Sequence, residues 1–218
     1  MKRINSLIFI GLISIILLTS FSNCISLNYD NIKNKDIQKD IQNNGYTTTD
    51  ENYQNIDWNT FIHNHKYIYG KVVKVVDGDT IYIVDDKGNK YKIRLLGVDT
   101  PETYVKNNPR EYRLLNGMYI SNITYLKLWG KKATEFAKSE LDNKMVYAVF
   151  DKYAPEKGKY GRYLCYIIVD GEDFNEELLR YGYARVYVSN FELKDRFLKE
   201  EYWAKKNRIG LWNYTINN

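Results

Sequence analysis

Cysteine is scarce. Cys24 and Cys165 are the only two in 218 residues, too few within one chain for a disulfide framework or a cysteine-built zinc site. His63 and His65 are the only histidines; they stand two positions apart in a polar stretch and read as ordinary surface residues rather than metal ligands. No apolar run reaches the ~20 residues that a membrane-crossing helix needs. The longest spans Leu7 to Phe21 and is broken by Gly11, Ser14, Thr19 and Ser20. No internal repeat and no second core can be found, so a hydrophobic content of 44% over this length supports one domain and an appendage. A strong excess of one charge is also missing. The net charge of +5 is too small for a histone-like binder yet compatible with a polyanionic partner.

What is present begins with Lys2 and Arg3 ahead of the apolar run, the pattern of an export signal over residues 1–23. Ser20 and Ser22 offer a small-x-small cleavage site, while Cys24 offers lipid attachment instead, although Asn23 fits a lipoprotein box poorly. Either way the chain is expected to be exported, then secreted or held at the outer face of the membrane. Residues 24–65 are rich in Asn, Asp, Lys, Thr and Gln. Such a stretch buries too little apolar area to offset its ordering entropy, so it reads as a polar tether, with short structure near Trp58 and Phe61. Residues 66–213 hold the domain and 214–218 a tail. The domain carries 27 Lys and Arg against 21 Asp and Glu, so the basic excess resides there.

Within the domain, Lys71–Val76, Thr80–Val84 and Tyr91–Leu96 are β-branched or alternating, and Asp85-Asp86-Lys87-Gly88-Asn89 is turn chemistry that makes the last two a hairpin. Further strands are expected at Met145–Phe150 and Tyr163–Val169. Five short strands suggest a small closed or nearly closed barrel. Helical spacing appears at Ala133, Phe136, Ala137 and Leu141, at Glu176–Tyr181 behind an Asn175 cap, and at Leu193–Asn207. Residues 104–128 fit no element and read as a long loop or insertion. The 21 tyrosines suit either strand and core positions or a stacking groove for single-stranded nucleic acid.

Three segments carry chemistry: Asp77-Gly78-Asp79-Thr80, Arg94 through Thr103, and Lys159-Tyr160-Gly161-Arg162. Asp79 opens a strand and Asp99 ends the hairpin behind it, so the chain can return one carboxylate to the other. Two such oxygens suit a hard divalent cation, and calcium accepts carboxylates, carbonyls and waters in flexible geometry. Pro101 makes a stiff turn between Asp99 and Glu102, leaving Glu102 as a carboxylate beside the cation and a candidate general base for water. Arg94 and Arg162 supply guanidinium groups suited to phosphoryl oxygens. Each segment alone could be a solvated turn or a surface ion pair. Their order and complementarity argue for one site.

In these segments and in the strand order around them, the chain resembles the staphylococcal nuclease, or thermonuclease, family from about Tyr67 to Trp212, including Trp129-Gly130-Lys131-Lys132-Ala133 and Gly210-Leu211-Trp212. The resemblance implies an α+β, OB-fold-type five-stranded barrel with about three helices. It also implies a calcium-dependent nuclease that hydrolyses phosphodiester bonds of DNA or RNA endonucleolytically, breaking P–O5′ and leaving 3′-phosphate ends. By that likeness Asp79, Asp99 and the Thr100 carbonyl would ligate Ca²⁺, and Glu102 would be the base. Arg94 and Arg162 would stabilise the transition state, and Lys159 and Tyr160 would contact a terminal phosphate. A monomer with nucleic acid as its partner is expected. A non-cutting nucleic-acid binding module is the rival reading, and the retention of all these acids and arginines speaks against it; a tethered display protein has no positive feature in its favour.

Overall fold

The computed structural model describes residues 56–215. The expected export signal, the candidate lipid site at Cys24 and most of the expected tether lie outside those residues. Among the described residues no helix is long and apolar enough to cross a membrane.

Among the described residues the fold consists of eight strands and four α-helices: α1 (Trp58–His63), β1 (Tyr67–Asp77), β2 (Thr80–Val84), β3 (Lys90–Leu95), β4 (Val98–Asp99), α2 (Ile123–Leu141), β5 (Met145–Phe150), β6 (Tyr163–Val169), β7 (Glu172–Asp173), α3 (Phe174–Arg180), β8 (Arg185–Val186) and α4 (Lys194–Lys206). Strands β3, β2, β1, β5 and β6 pair in that order, and a parallel pairing of β3 with β6 closes them into a five-stranded barrel. The α+β barrel anticipated from sequence is therefore present. Its interior follows from alternation: Val72, Ile81, Ile83, Ile93, Leu95, Val146, Ala148 and Ile167 are fully buried or nearly so, while the residues between them face outward. The short pair β4–β8 lies apart from the barrel sheet.

Several boundaries differ from the sequence expectation, each for a physical reason. Helix α2 begins at Ile123 rather than near Trp129, because Asn122 accepts a hydrogen bond from the Tyr125 N–H and caps it. Leu126, Gly130, Ala133, Ala137 and Leu141 then form one buried stripe at helical spacing. Helix α3 is capped by Asp173, not Asn175. The Asn175 amide is instead fully buried, accepting from Ile167 N–H and donating to the carbonyls of Leu96 and Cys165. The lower edge of the domain also moves. Helix α1, assigned above to the end of the tether, places Trp58, Phe61 and Ile62 in the main core. His65, read as a surface residue, stacks on Phe61 and meets Glu192 through Nε2 at 2.7 Å, with 2% of its side chain exposed. His63 is exposed.

The segment 104–122 forms a short 3₁₀ turn at Pro109–Glu111 and a tight loop bridged at Arg113 and Tyr119. It is anchored by a satellite core in which Tyr112, Ile120 and Leu126 pack with Ala204, Leu211, Trp212 and Tyr214. Its last expected residues, 123–128, belong to α2.

Gly130 is where α2 meets the loop after β4, since a Cβ there would lie 2.2 Å from the Pro101 carbonyl oxygen. Replacing a mid-helix glycine by alanine ordinarily stabilises a helix by about 1 kcal/mol. Here Gly130→Ala is expected to reverse that sign and lose about 1–3 kcal/mol through overpacking, as read by urea unfolding; a more stable variant would show that the close approach is not needed.

Candidate active site

The tight turn between β1 and β2 sets the first acid. Gly78 allows it, because a Cβ at that position would fall 2.8 Å from both the Ala133 Cβ and the Thr100 Cγ2. Asp79, 5% exposed, turns its carboxylate toward the loop after β4, where Oδ2 accepts from the Thr100 N–H at 2.8 Å and from its Oγ1 at 3.0 Å. Oδ1 accepts from the Thr80 hydroxyl. The side chain of Arg94, on the outward face at the end of β3, sits between two acids. Its Nη2 donates to Asp99 Oδ1 at 2.6 Å, and its Nη1 lies 2.7 Å from Asp79 Oδ2 without the alignment of a hydrogen bond. Burial and the charge of Asp79 push the Asp77 carboxyl up to about 7. Asp99 is pushed up to about 6 by burial, against the opposing pull of Arg94 and Arg185.

Glu102 stands beyond the buried Pro101 with its side chain exposed. Its backbone is clamped at both ends: the Asn107 side-chain oxygen accepts from the Glu102 N–H at 2.7 Å, and the Asn107 amide donates to the Glu102 carbonyl at 2.9 Å. The structure thus brings Asp79, Arg94, Asp99 and Thr100 into contact, with Glu102 at the lip. Lys159, Tyr160 and Arg162 are not in that contact network. They occupy the turn before β6, which Gly161 makes with φ of 72° and which the Gly158 N–H closes onto the Arg162 carbonyl. The parallel register sets Tyr163 beside Ile93 and Leu164 beside Arg94, so Arg162 arrives one position before the strand that flanks β3. The Arg162 guanidinium lies 5.7 Å from the Tyr160 ring, which is 77% exposed.

Two side chains that contact the candidate site residues escaped the sequence reading. Asn107 acts on backbone atoms, and a lone Asn in a loop carries no signal of that. Arg185 sits on β8 opposite Asp99, with Nη2 2.7 Å from Asp99 Oδ2 and 3.3 Å from Glu111. The Tyr112 ring lies 5.8 Å from that guanidinium, and burial raises its phenol well above the usual range. Only the antiparallel pairing of β4 with β8, 86 positions apart, reveals this arginine.

The side chains of Asp79, Asp99, Thr80 and Thr100 brought together here offer carboxylate and hydroxyl oxygens, a set that suits a hard cation such as calcium rather than zinc. Among the described residues no three His, Cys, Asp or Glu side chains gather as a ready-made metal cluster, so a cation here would complete its shell with carbonyl or water oxygens. It would also offset the mutual repulsion of Asp77 and Asp79, which fits the residues present.

Removing the Asn107 amide leaves the Glu102 N–H and carbonyl without their partners. Asn107→Ala is expected to lose about 1–3 kcal/mol of stability and to lower turnover, read together by thermal unfolding and initial rates. Unchanged turnover would show that Glu102 needs no such clamp.

Comparison with known proteins shows what the chain is similar to. Residues 92–214 match the family described as Staphylococcal nuclease homologue. The chain is 51% identical over 210 residues to the uncharacterized protein MJ1439 of Methanocaldococcus jannaschii, covering 94% of this chain and 95% of that one. It is 37% identical to a thermonuclease of Staphylococcus hyicus over 66% of this chain and 75% of that protein. It is 29% identical to the endonuclease YncB of Bacillus subtilis over 98% and 93% of the two chains. With the paired acids, the outward arginine and the closed barrel in place, the chain belongs to the staphylococcal nuclease family.

Proposed function

We propose that this nuclease is an exported, calcium-dependent endonuclease that hydrolyses DNA or RNA and leaves 3′-phosphate ends. The observation that carries the reading is the contact of Arg94 with Asp79 and Asp99 beside the exposed carboxylate of Glu102. Asp79, Asp99 and the Thr100 carbonyl would hold the calcium, which when bound supplies positive charge next to the phosphoryl oxygens. The protein's own part is orientation and proton transfer. Arg94 is fixed by two acids, so its fork is aimed before substrate arrives and little order need be gained on binding. Arg162, which has no acid partner among the described residues, is available for a second phosphoryl oxygen. Lys159 and Tyr160, on the same exposed turn, would meet a terminal phosphate of the bound strand.

Glu102 takes a proton from water as the water oxygen bonds to phosphorus. The P–O5′ bond breaks and O5′ is protonated from solvent, leaving a 3′-phosphate and a 5′-hydroxyl. Internal cutting accords with the name of the relative YncB, an endonuclease. Action outside the cytoplasm rests on the basic start and the apolar run Leu7 to Phe21. Release after export, or attachment at the outer membrane face through that N-terminal segment, and a monomeric state complete the proposal.

The purified chain, incubated with and without calcium on single-stranded DNA and RNA, should yield 3′-phosphate ends only with calcium. Glu102→Gln is expected to lower kcat by roughly 10²–10⁴-fold while calcium still binds. Arg162→Lys should lower it by roughly 10²-fold or more, because an ammonium cannot make the paired contact. Tight binding without cleavage in calcium would favour a binding module, and full activity in Glu102→Gln would remove Glu102 from the chemistry.

A further inference from the structure

The outer face of β1, β2 and β3 carries charge that the cleft does not use. Strand register arranges it in rows. Nearest the cleft, Asp77 pairs with Thr80 and Thr80 with Arg94. One step along, Lys74 pairs with Tyr82 and Tyr82 with Lys92; one step further, Lys71 pairs with Val84 and Val84 with Lys90. Because side chains alternate across a strand, Lys90, Lys92 and Arg94 share the outward side of β3, with ~6.7 Å between successive members. The four lysines are exposed and Tyr82 is half-buried between them. Lys90 Nζ lies 4.7 Å and Lys92 Nζ 5.6 Å from the Tyr82 ring centroid.

Four other lysines meet acids, Lys66 with Glu156, Lys144 with Asp170, and Lys152 and Lys205 with glutamates, while Lys132 and Lys157 lie singly over the rings of Trp129 and Tyr163. Lys71, Lys74, Lys90 and Lys92 are in no ion pair with a described acid. Past Lys71 the surface opens into a cleft of about 590 Å³ with Tyr67 and Tyr69 in its wall, and the acids Asp85 and Asp86 at the hairpin end bound it. An aromatic ring set among unpaired cations, in line with a phosphate-directed arginine, matches what a single nucleic-acid strand requires: phosphates on the cations and a base on the ring.

We propose that this face is an accessory track that holds single-stranded polynucleotide as it leaves the cleft, with Lys74 and Lys92 on its phosphates and Tyr82 stacked on a base. The proposal rests on the reading of the cleft as the nuclease site. Duplex is a poorer fit because its bases are not free to stack on Tyr82.

The test measures binding of the full chain to fluorescein-labelled (dT)20 in EDTA across a salt series, for the wild type, the double variant Lys74→Gln/Lys92→Gln, and Tyr82→Leu. The double variant should reduce the slope of log K against log salt by about 1.4, near 0.7 for each phosphate deprived of its lysine, and Tyr82→Leu should weaken binding about fivefold or more at unchanged slope. With calcium, kcat/KM of the double variant on (dT)20 should fall about tenfold further than on a thymidine dinucleotide, which is too short to reach the track. An unaltered slope, or equal loss on long and short substrates, would overturn the track. So would a loss confined to a 20-base-pair duplex or to phosphatidylglycerol vesicles, which would give the face to duplex or to a lipid surface. Should the wild type bind (dT)20 but cleave nothing, the reading of the cleft fails while the salt series still decides the track.

Discussion

Asp79 is a carboxylate taken almost wholly out of water, and it has to be satisfied by something. Two hydrogen bonds from Thr100 and the charge of Arg94 do this, and the arrangement ties together the β1–β2 turn, the end of β3 and the loop after β4. A buried charge left unpaired is costly enough that each of these pieces is held by the others. The glycines follow from that closeness. Gly78 gives the turn room against Thr100, and Gly130 lets helix α2 press on the Pro101 carbonyl, so a main helix sets the position of the loop that presents Glu102.

The same charges that satisfy Asp79 organise the rest of the cleft. Arg94 spans Asp79 and Asp99, and Arg185 covers the other oxygen of Asp99 while reaching Glu111. The segment 104–122 is therefore more than a surface loop. It supplies Glu111, the Tyr112 ring near Arg185 and the Asn107 clamp on Glu102, and it is held in turn by the satellite core around Trp212. Packing at the C-terminal end of the domain is in this way connected to the placement of the proposed base.

What could be read from the sequence was what is local. Alternation or β-branched apolar runs located all five barrel strands to within a few residues, the alternation being clear on β2 and β3, where one face is buried and the other is not. The acid and arginine segments announced their chemistry through residue type and order. Distances were not legible: nothing in Lys159-Tyr160-Gly161-Arg162 says that it flanks β3 without touching the acids. Helix α1 was read only as short structure near Trp58 and Phe61 within the tether, because six residues in a polar stretch show too little periodicity to mark a core element, although Trp58, Phe61 and Ile62 sit at helical spacing. Asn175 was misread because a polar residue before an apolar run looks like a cap, while the fold uses its amide to join β6 to the Leu96 carbonyl. His65 looked like surface until Glu192, 127 positions away, was brought against it.

The barrel explains why binding and chemistry can share one surface without disturbing the core. On β1, β2 and β3 the inner side is apolar while much of the outer side meets solvent. On β3 the inner side is Ile93 and Leu95, both almost fully buried, and the outer side is Lys90, Lys92 and Arg94. Substitutions on the outer side change charge facing solvent or substrate and leave the packing of Ile81, Ile83 and Ile93 untouched. Arg94 is the exception. It is nearly buried because two acids surround it, and its replacement would strand Asp79 and Asp99 without their shared cation. Along this one strand the dependence on the fold thus rises toward the cleft: Lys90 and Lys92 meet only the Tyr82 ring, whereas Arg94 is bound to the carboxylates that hold the site together.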